Sequence, residues 1–185
     1  MTTATKSPTL APAGTWVVDP KHSSVEFQVK HLGIATVRGH FESFAGTLRI
    51  GEDSAEAFGT VDAGSLSTNE AGRDEHLRSP DFFDVERYPQ IEFTSTAIEP
   101  LGDDTFEVSG ELTLHGVTRP VTLRAEVTGT EQDPWGNDRV GLEVRGQIDR
   151  SDYGMTFNQA LGSGNMLVSD KIKLALDVSA IKQEQ

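Results

Sequence analysis

The chain has 185 residues, 36% of them hydrophobic, a size that suits one domain with a real core. Its 16 Lys and Arg against 29 Asp and Glu leave a formal net charge of −13, which repels phosphate backbones and anionic headgroups and so argues against a nucleic-acid or membrane-surface partner; no stable membrane insertion is expected. Having no cysteine excludes disulfides, thiol catalysis and thiolate metal sites together.

The opening stretch MTTATKSPTLAPAG has one Lys, two Pro and no apolar run long enough for a signal-peptide core or a membrane span. Residues 1–13 are therefore expected to be a flexible leader, residues 14–183 a single domain, and the location cytoplasmic. From there the signal has period two, the mark of strands with one buried and one wet face. Val25, Phe27 and Val29 alternate with polar residues, and His31 takes the next inward position before a turn at Leu32-Gly33. Val37, Gly39 and Phe41 follow, then Leu48 with Ile50, and Val61 with Ala63.

One segment departs from this period. Ser67 stands three residues before Glu70, a capping-box spacing, so a short polar helix is expected before Pro80. Beyond it the adjacent Phe82 and Phe83 have no periodic partner, which suggests a loop dipping its aromatics into an opening. Alternation resumes at Ile91 and Phe93, runs from Phe106 to Leu114, and turns at His115-Gly116. It continues from Val121 to Val127, turns again at Trp135-Gly136-Asn137, covers Val140 to Ile148, and ends with Ile172 to Val178.

About eight strands with one apolar face each can close as a barrel or stack as a sandwich, and the pattern alone leaves both open. Small inward residues (Gly39, Ala63, Gly110, Ala125, Gly146) favour a barrel with a cavity, although they equally fit bulges at sheet corners. No two of the five histidines share a metal-binding spacing. Asp149 and Asp152 in DRSDYG read as turn chemistry, and no nucleophile elbow, phosphate loop or dinucleotide fingerprint is present. His31 keeps two readings, a rim histidine satisfied by backbone or a polar group that meets a ligand's head.

Taken together, TWVVDPKHSSVEFQVKHLGIATVRGHFESFAGTL (15–48), RDEHLRSPDFFDVERYPQIEFTS (73–95), GELTLHGVTRPVTL (110–123), DRSDYGM (149–155) and VSDKIKLALDVS (168–179) resemble the YceI-like family of polyisoprenoid-binding proteins. The resemblance implies an all-β, lipocalin-like fold: an extended eight-stranded antiparallel β-barrel, often a homodimer, here with a short helix between strands. It implies that the interior binds and sequesters or transports a long-chain isoprenoid or related lipid, such as a quinone tail or polyprenyl phosphate. The bound isoprenoid is then a ligand and no cofactor is needed. No catalytic residue and no metal site are implied. Relatives often carry a secretion signal that this sequence lacks.

On that reading the tunnel would be shaped by Phe27, Val29, Val37, Phe41, Leu48, Phe93, Leu112, Leu114, Leu142, Val144, Leu174 and Leu176. Met155 and Phe157 would form one end, and Phe82 and Phe83 a plug or lid. His31, Arg38, Arg73, Arg78 and Arg119 are the groups to test against a polar head. The alternative is an enzyme acting on an isoprenoid or other apolar molecule inside the barrel, which would need a cavity-facing acid or base with a shifted pKa.

Overall fold

The structure, a computed structural model, describes residues 9–163 and 166–184, so residues 1–8 of the expected leader lie outside the described residues. Strands β1 (Gly14–Val18) and β2 (Ser24–His31) both pair with the last strand, β11 (Val168–Lys182): β1 with its final residues, β2 with its first part. They are two halves of one barrel strand. Pro20, which lacks an N–H and cannot continue a ladder, opens the single 3-10 turn (Pro20–His22) that bends it, and the Asp19 side chain caps that turn at Lys21 N.

Strands β3 (Ala35–Phe41) and β4 (Phe44–Ile50) likewise form one strand broken at Glu42-Ser43, and β5 (Ala55–Asp62) and β6 (Leu66–Ser67) flank a second 3-10 turn. After helix α1 (Ala71–Arg78) come β7 (Gln90–Gly102), β8 (Thr105–Leu114), β9 (Val117–Gln132) and β10 (Asp138–Asp149). The ladder runs β1-β4-β5-β7-β8-β9-β10-β11 and closes from β11 back to β1, every pairing antiparallel. This is a closed eight-stranded antiparallel barrel with one short helix.

Two hairpins close as the sequence suggests. Leu32 and Gly33 have φ of 58° and 73°, and His115 and Gly116 have φ of 55° and 72°, the paired positive values of a type I′ turn. The helix start differs from the expected capping box. Ser67 is held extended by its pairing with His40, and Glu70 is itself the N-cap, its carboxylate accepting from Gly72 N and Arg73 N at 3.1 and 2.6 Å.

The inward glycines also have a different meaning from the one their size suggested. A Cβ at Gly39 would overlap the Phe27 ring, one at Gly110 the Phe93 ring, and one at Gly146 the Leu123 side chain. They are sockets into which larger neighbours lean, so they fill the interior rather than hollow it.

The core is packed at both ends. At the base, where β1 begins and β11 ends, Trp16, Leu48, Ile50, Phe106, Val140, Leu142 and Ala180 form one buried cluster. Leu10 and Ala11 belong to it, each at most 4% exposed, and Trp16 Nε1 donates to Pro12 O at 2.9 Å. The boundary drawn at Gly14 is therefore corrected: Leu10 to Pro12 are part of the fold, because the base would otherwise leave Trp16 and its neighbours wet. At the opposite, covered end two clusters meet, Phe27-Phe41-Leu66 and Leu114-Ile148-Tyr153-Met155.

Candidate functional site

Between the two packed ends lies an apolar cavity of about 310 Å³. Its wall is built from the alternate residues that the barrel turns inward: Phe27 and Val29 on β2, Phe41 on β3, Leu48 on β4, Phe93 on β7, Leu112 and Leu114 on β8, Leu142 and Val144 on β10, Leu174 and Leu176 on β11. Phe44, Phe58, Val61, Ile98, Val108, Val121, Leu123 and Ile172 also line it. Phe44, Val61, Val108, Val121, Leu123 and Ile172 share the parity of inward neighbours, Ile98 is brought into phase by the irregularity between Ser95 and Ala97, and Phe58 has the opposite parity to Val61, with Arg49 over its ring.

The cover is made by connecting segments rather than by ladder strands. Phe82, Phe83, Leu77 and Met155 all line the cavity. A tight turn aims the aromatic pair: Phe82 N donates to Ser79 O at 3.0 Å, Phe83 N to Leu77 O at 2.9 Å and Asp84 N to Ser79 O at 3.0 Å. Asp84 takes a positive φ of 48° to close it, a conformation Asp tolerates better than most residues. Phe83 then packs on Phe27 and Phe41 with ring centroids 6.3 and 5.9 Å away.

Three residues expected in the lining lie outside it. His31 is exposed, and Val37 is half-buried opposite Val29. Both have the right parity, but β3 pairs with β6 only through His40 and Phe41, so the β2–β3 hairpin overhangs the closed ring. Phe157 packs outside the cover, in a three-ring cluster with Phe82 and His76 at centroid distances of 5.1 to 5.3 Å. The arginines tested for a head group are also elsewhere. Arg38 is exposed, Arg73 binds Thr68, Arg78 donates to Gly64 O and Leu66 O, and Arg119 donates to Asp152 O. The last three staple connecting segments in place.

A buried charged group that the sequence reading missed reaches the cavity. Arg150 is 3% exposed and lines the covered end. Its Nε donates to Ser169 O at 3.0 Å, Nη1 to Met155 O at 2.7 Å and Nη2 to Val168 O at 3.2 Å. Its Cζ lies 5.8 Å from the Phe82 ring centre, within cation–π reach. Burial pushes the guanidinium below the usual arginine range, and the charge of Asp170 works against that shift. A signal was there: Arg150 continues the inward parity of Val144, Gly146 and Ile148 by one more step.

Ionic structure away from the cavity is concentrated near the base, where Arg139 bridges Asp19 at 3.0 Å and Asp133 at 2.8 Å. Hydrogen bonds from His22 and then Arg139 hold the Asp19 carboxyl down at about 2. Among the described residues no cluster of His, Asp and Glu is arranged to hold a metal ion, and no helix is long and apolar enough to cross a membrane.

Comparison with known proteins places this geometry among relatives. Residues 16–180 match the YceI-like domain. Protein YceI of Salmonella arizonae is 38% identical over 167 residues, covering 89% of this chain and 84% of that protein. The crystal structure of the Campylobacter jejuni YCEI protein superposes with a TM-score of 0.73 at 29% identity, covering 84% of this chain and 90% of that one. Burkholderia cenocepacia BcnA shares the fold at TM-score 0.76 and 22% identity, covering 88% of this chain and 98% of that one. So does a polyisoprenoid binding domain from Saccharophagus degradans, at TM-score 0.67 and 17% identity, covering 91% and 98%.

Proposed function

This chain belongs to the YceI-like domain family, and we propose that it binds the tail of an isoprenoid or related amphiphile inside its barrel, as a carrier or store rather than a catalyst. One observation carries the proposal: a cavity of about 310 Å³ walled almost wholly by hydrocarbon and closed off from the base by packed side chains. That volume falls at the low end of the ~300–1,000 Å³ typical of small-molecule sites. The polyisoprenoid binding role named for the Saccharophagus degradans domain, which has the same fold, agrees with this ligand class.

The lining also bounds the tail. On β10 it runs from Ile148 to Leu142, about 20 Å of strand at ~3.3 Å per residue, or about 15 Å along the axis once the strands tilt by ~40°. An isoprene unit adds four backbone bonds, about 4.5 Å when extended by the same geometry that gives a peptide ~3.4 Å per three bonds. The enclosed part is therefore about three units long. Burial of each carbon contributes ~0.8 kcal/mol before the cost of ordering the chain is subtracted.

Proton-transfer chemistry has little to work with in this lining. Arg150 stays protonated at any physiological pH, and Glu26, the carboxylate in the wall, is exposed. The test is solvent extraction of the purified protein with mass spectrometry, together with titration of geraniol, farnesol and geranylgeraniol. A bound chain-like lipid is expected, with affinity that climbs from two to three units and then flattens. Absence of lipid combined with no dependence on chain length would refute the proposal.

A further inference from the structure

Burial of a cation normally comes with a carboxylate to pair it, since an isolated charge in apolar surroundings is expensive. Arg150 does not follow that pattern. Among the described residues no Asp or Glu lies within ion-pair distance of it, although it is 3% exposed and its neighbours at the cavity include Phe82 and Met155. Its three hydrogen bonds go to neutral carbonyls. These bonds tie β11 to the segment after Arg150, and they leave the positive charge itself without a directly contacting anion. Of about five guanidinium donors these use one on each nitrogen, leaving one N–H on Nη1 and one on Nη2, a fork that matches two oxygens of one anion.

We propose that this fork receives the anionic head, carboxylate or phosphate, of the amphiphile whose tail occupies the barrel. The inference rests on the proposed function and adds an orientation to it: the head lies at the covered end, under the Phe82 turn, and the tail runs past Val144 toward Leu142. The residue thereby gains a counter-charge in direct contact, which nearby Asp170, engaged by Ser151 N and Oγ, does not supply, and the tail gains a fixed register.

The test needs no variant. Wild-type protein is titrated with two matched pairs, farnesyl phosphate against farnesol, and myristoleate against myristoleyl alcohol. The anion is expected to bind at least about tenfold more tightly within a pair, the scale of a charge-assisted hydrogen bond. The pair with the higher affinity identifies the source of the head. Equal affinity within both pairs overturns the head-group role and leaves the carrier reading intact, whereas no binding of any probe overturns both. As a second readout, R150K keeps a positive charge but loses the fork, and its preference for the anion should fall several-fold while the alcohols bind as before. An unchanged preference in a folded R150K protein would also count against the proposal.

Discussion

Val144→Phe tests the hollow directly. Val144 lies midway along the lining, opposite Ala125 on β9 and Leu176 on β11, both in the same wall. Phe carries four more side-chain carbons than Val, so it displaces about four carbons of a bound tail, worth about 3 kcal/mol gross at ~0.8 kcal/mol each. Part of this returns because fewer bonds of the ligand are frozen, leaving about 1.5–2 kcal/mol net, or roughly ten- to thirtyfold in affinity for farnesol. Geraniol, one unit shorter, should be affected less. Because the new ring enters existing space, folding stability should stay within about 1 kcal/mol of wild type, short of the ~1–3 kcal/mol of an overpacked core. Fluorescence titration and urea denaturation measure the two quantities. Unchanged farnesol affinity, or a stability loss on the overpacking scale, would refute a cavity at this position.

Leu10→Ala should lower stability by about 2–3 kcal/mol in urea unfolding, since it opens a hole in the base cluster; a flexible leader would tolerate it without loss. Phe83→Ala removes the ring that packs on Phe27 and Phe41, and stopped-flow displacement should show a several-fold faster release of ligand. His31→Ala should leave affinity within about twofold, because the side chain is exposed beyond the ring. The base ion cluster predicts a pH signature. Asp19 ionises at about 2 instead of 3.8, and Asp133 is also held low, Arg139 and the Asn137 and Trp135 amides outweighing its burial. Depressed carboxylates stabilise the fold above their unfolded pKa and lose that contribution as pH falls through the folded one. Arg139→Gln should therefore cost most near pH 7, and the gap to wild type should narrow from pH 4 to pH 2; a gap independent of pH would contradict this assignment.

Much of the barrel was legible because period two reports a local fact, which side of the ribbon a residue faces. That is why Phe27, Leu112 and Val144 are read inward from the sequence alone and stand inward in the structure. Parity carries no information about where along the axis a residue sits. His31 and Val37 have the right side and the wrong height, because the overhang of their hairpin depends on how far β6 extends alongside β3. The covering turn was visible as two adjacent phenylalanines out of register, while its closure through Asp84 was not. Leu10 and Arg150 were hidden for opposite reasons. Leu10 is a single apolar residue in a Pro-containing stretch whose burial is decided by Trp16 and the distant β4 and β10. Arg150 sits among Asp, Ser and Gly, a composition that speaks for a turn, and only β11 laid alongside it encloses the guanidinium.

The solid base has a consequence for traffic. With the base closed by packed side chains, the covered end is the route proposed here for both entry and exit. Whatever hands over the molecule and whatever takes it away must then come to the same rim in succession. A complex engaging giver and taker at once, one at each pole of the barrel, is sterically pointless for this architecture, and its isolation would mean that the base opens.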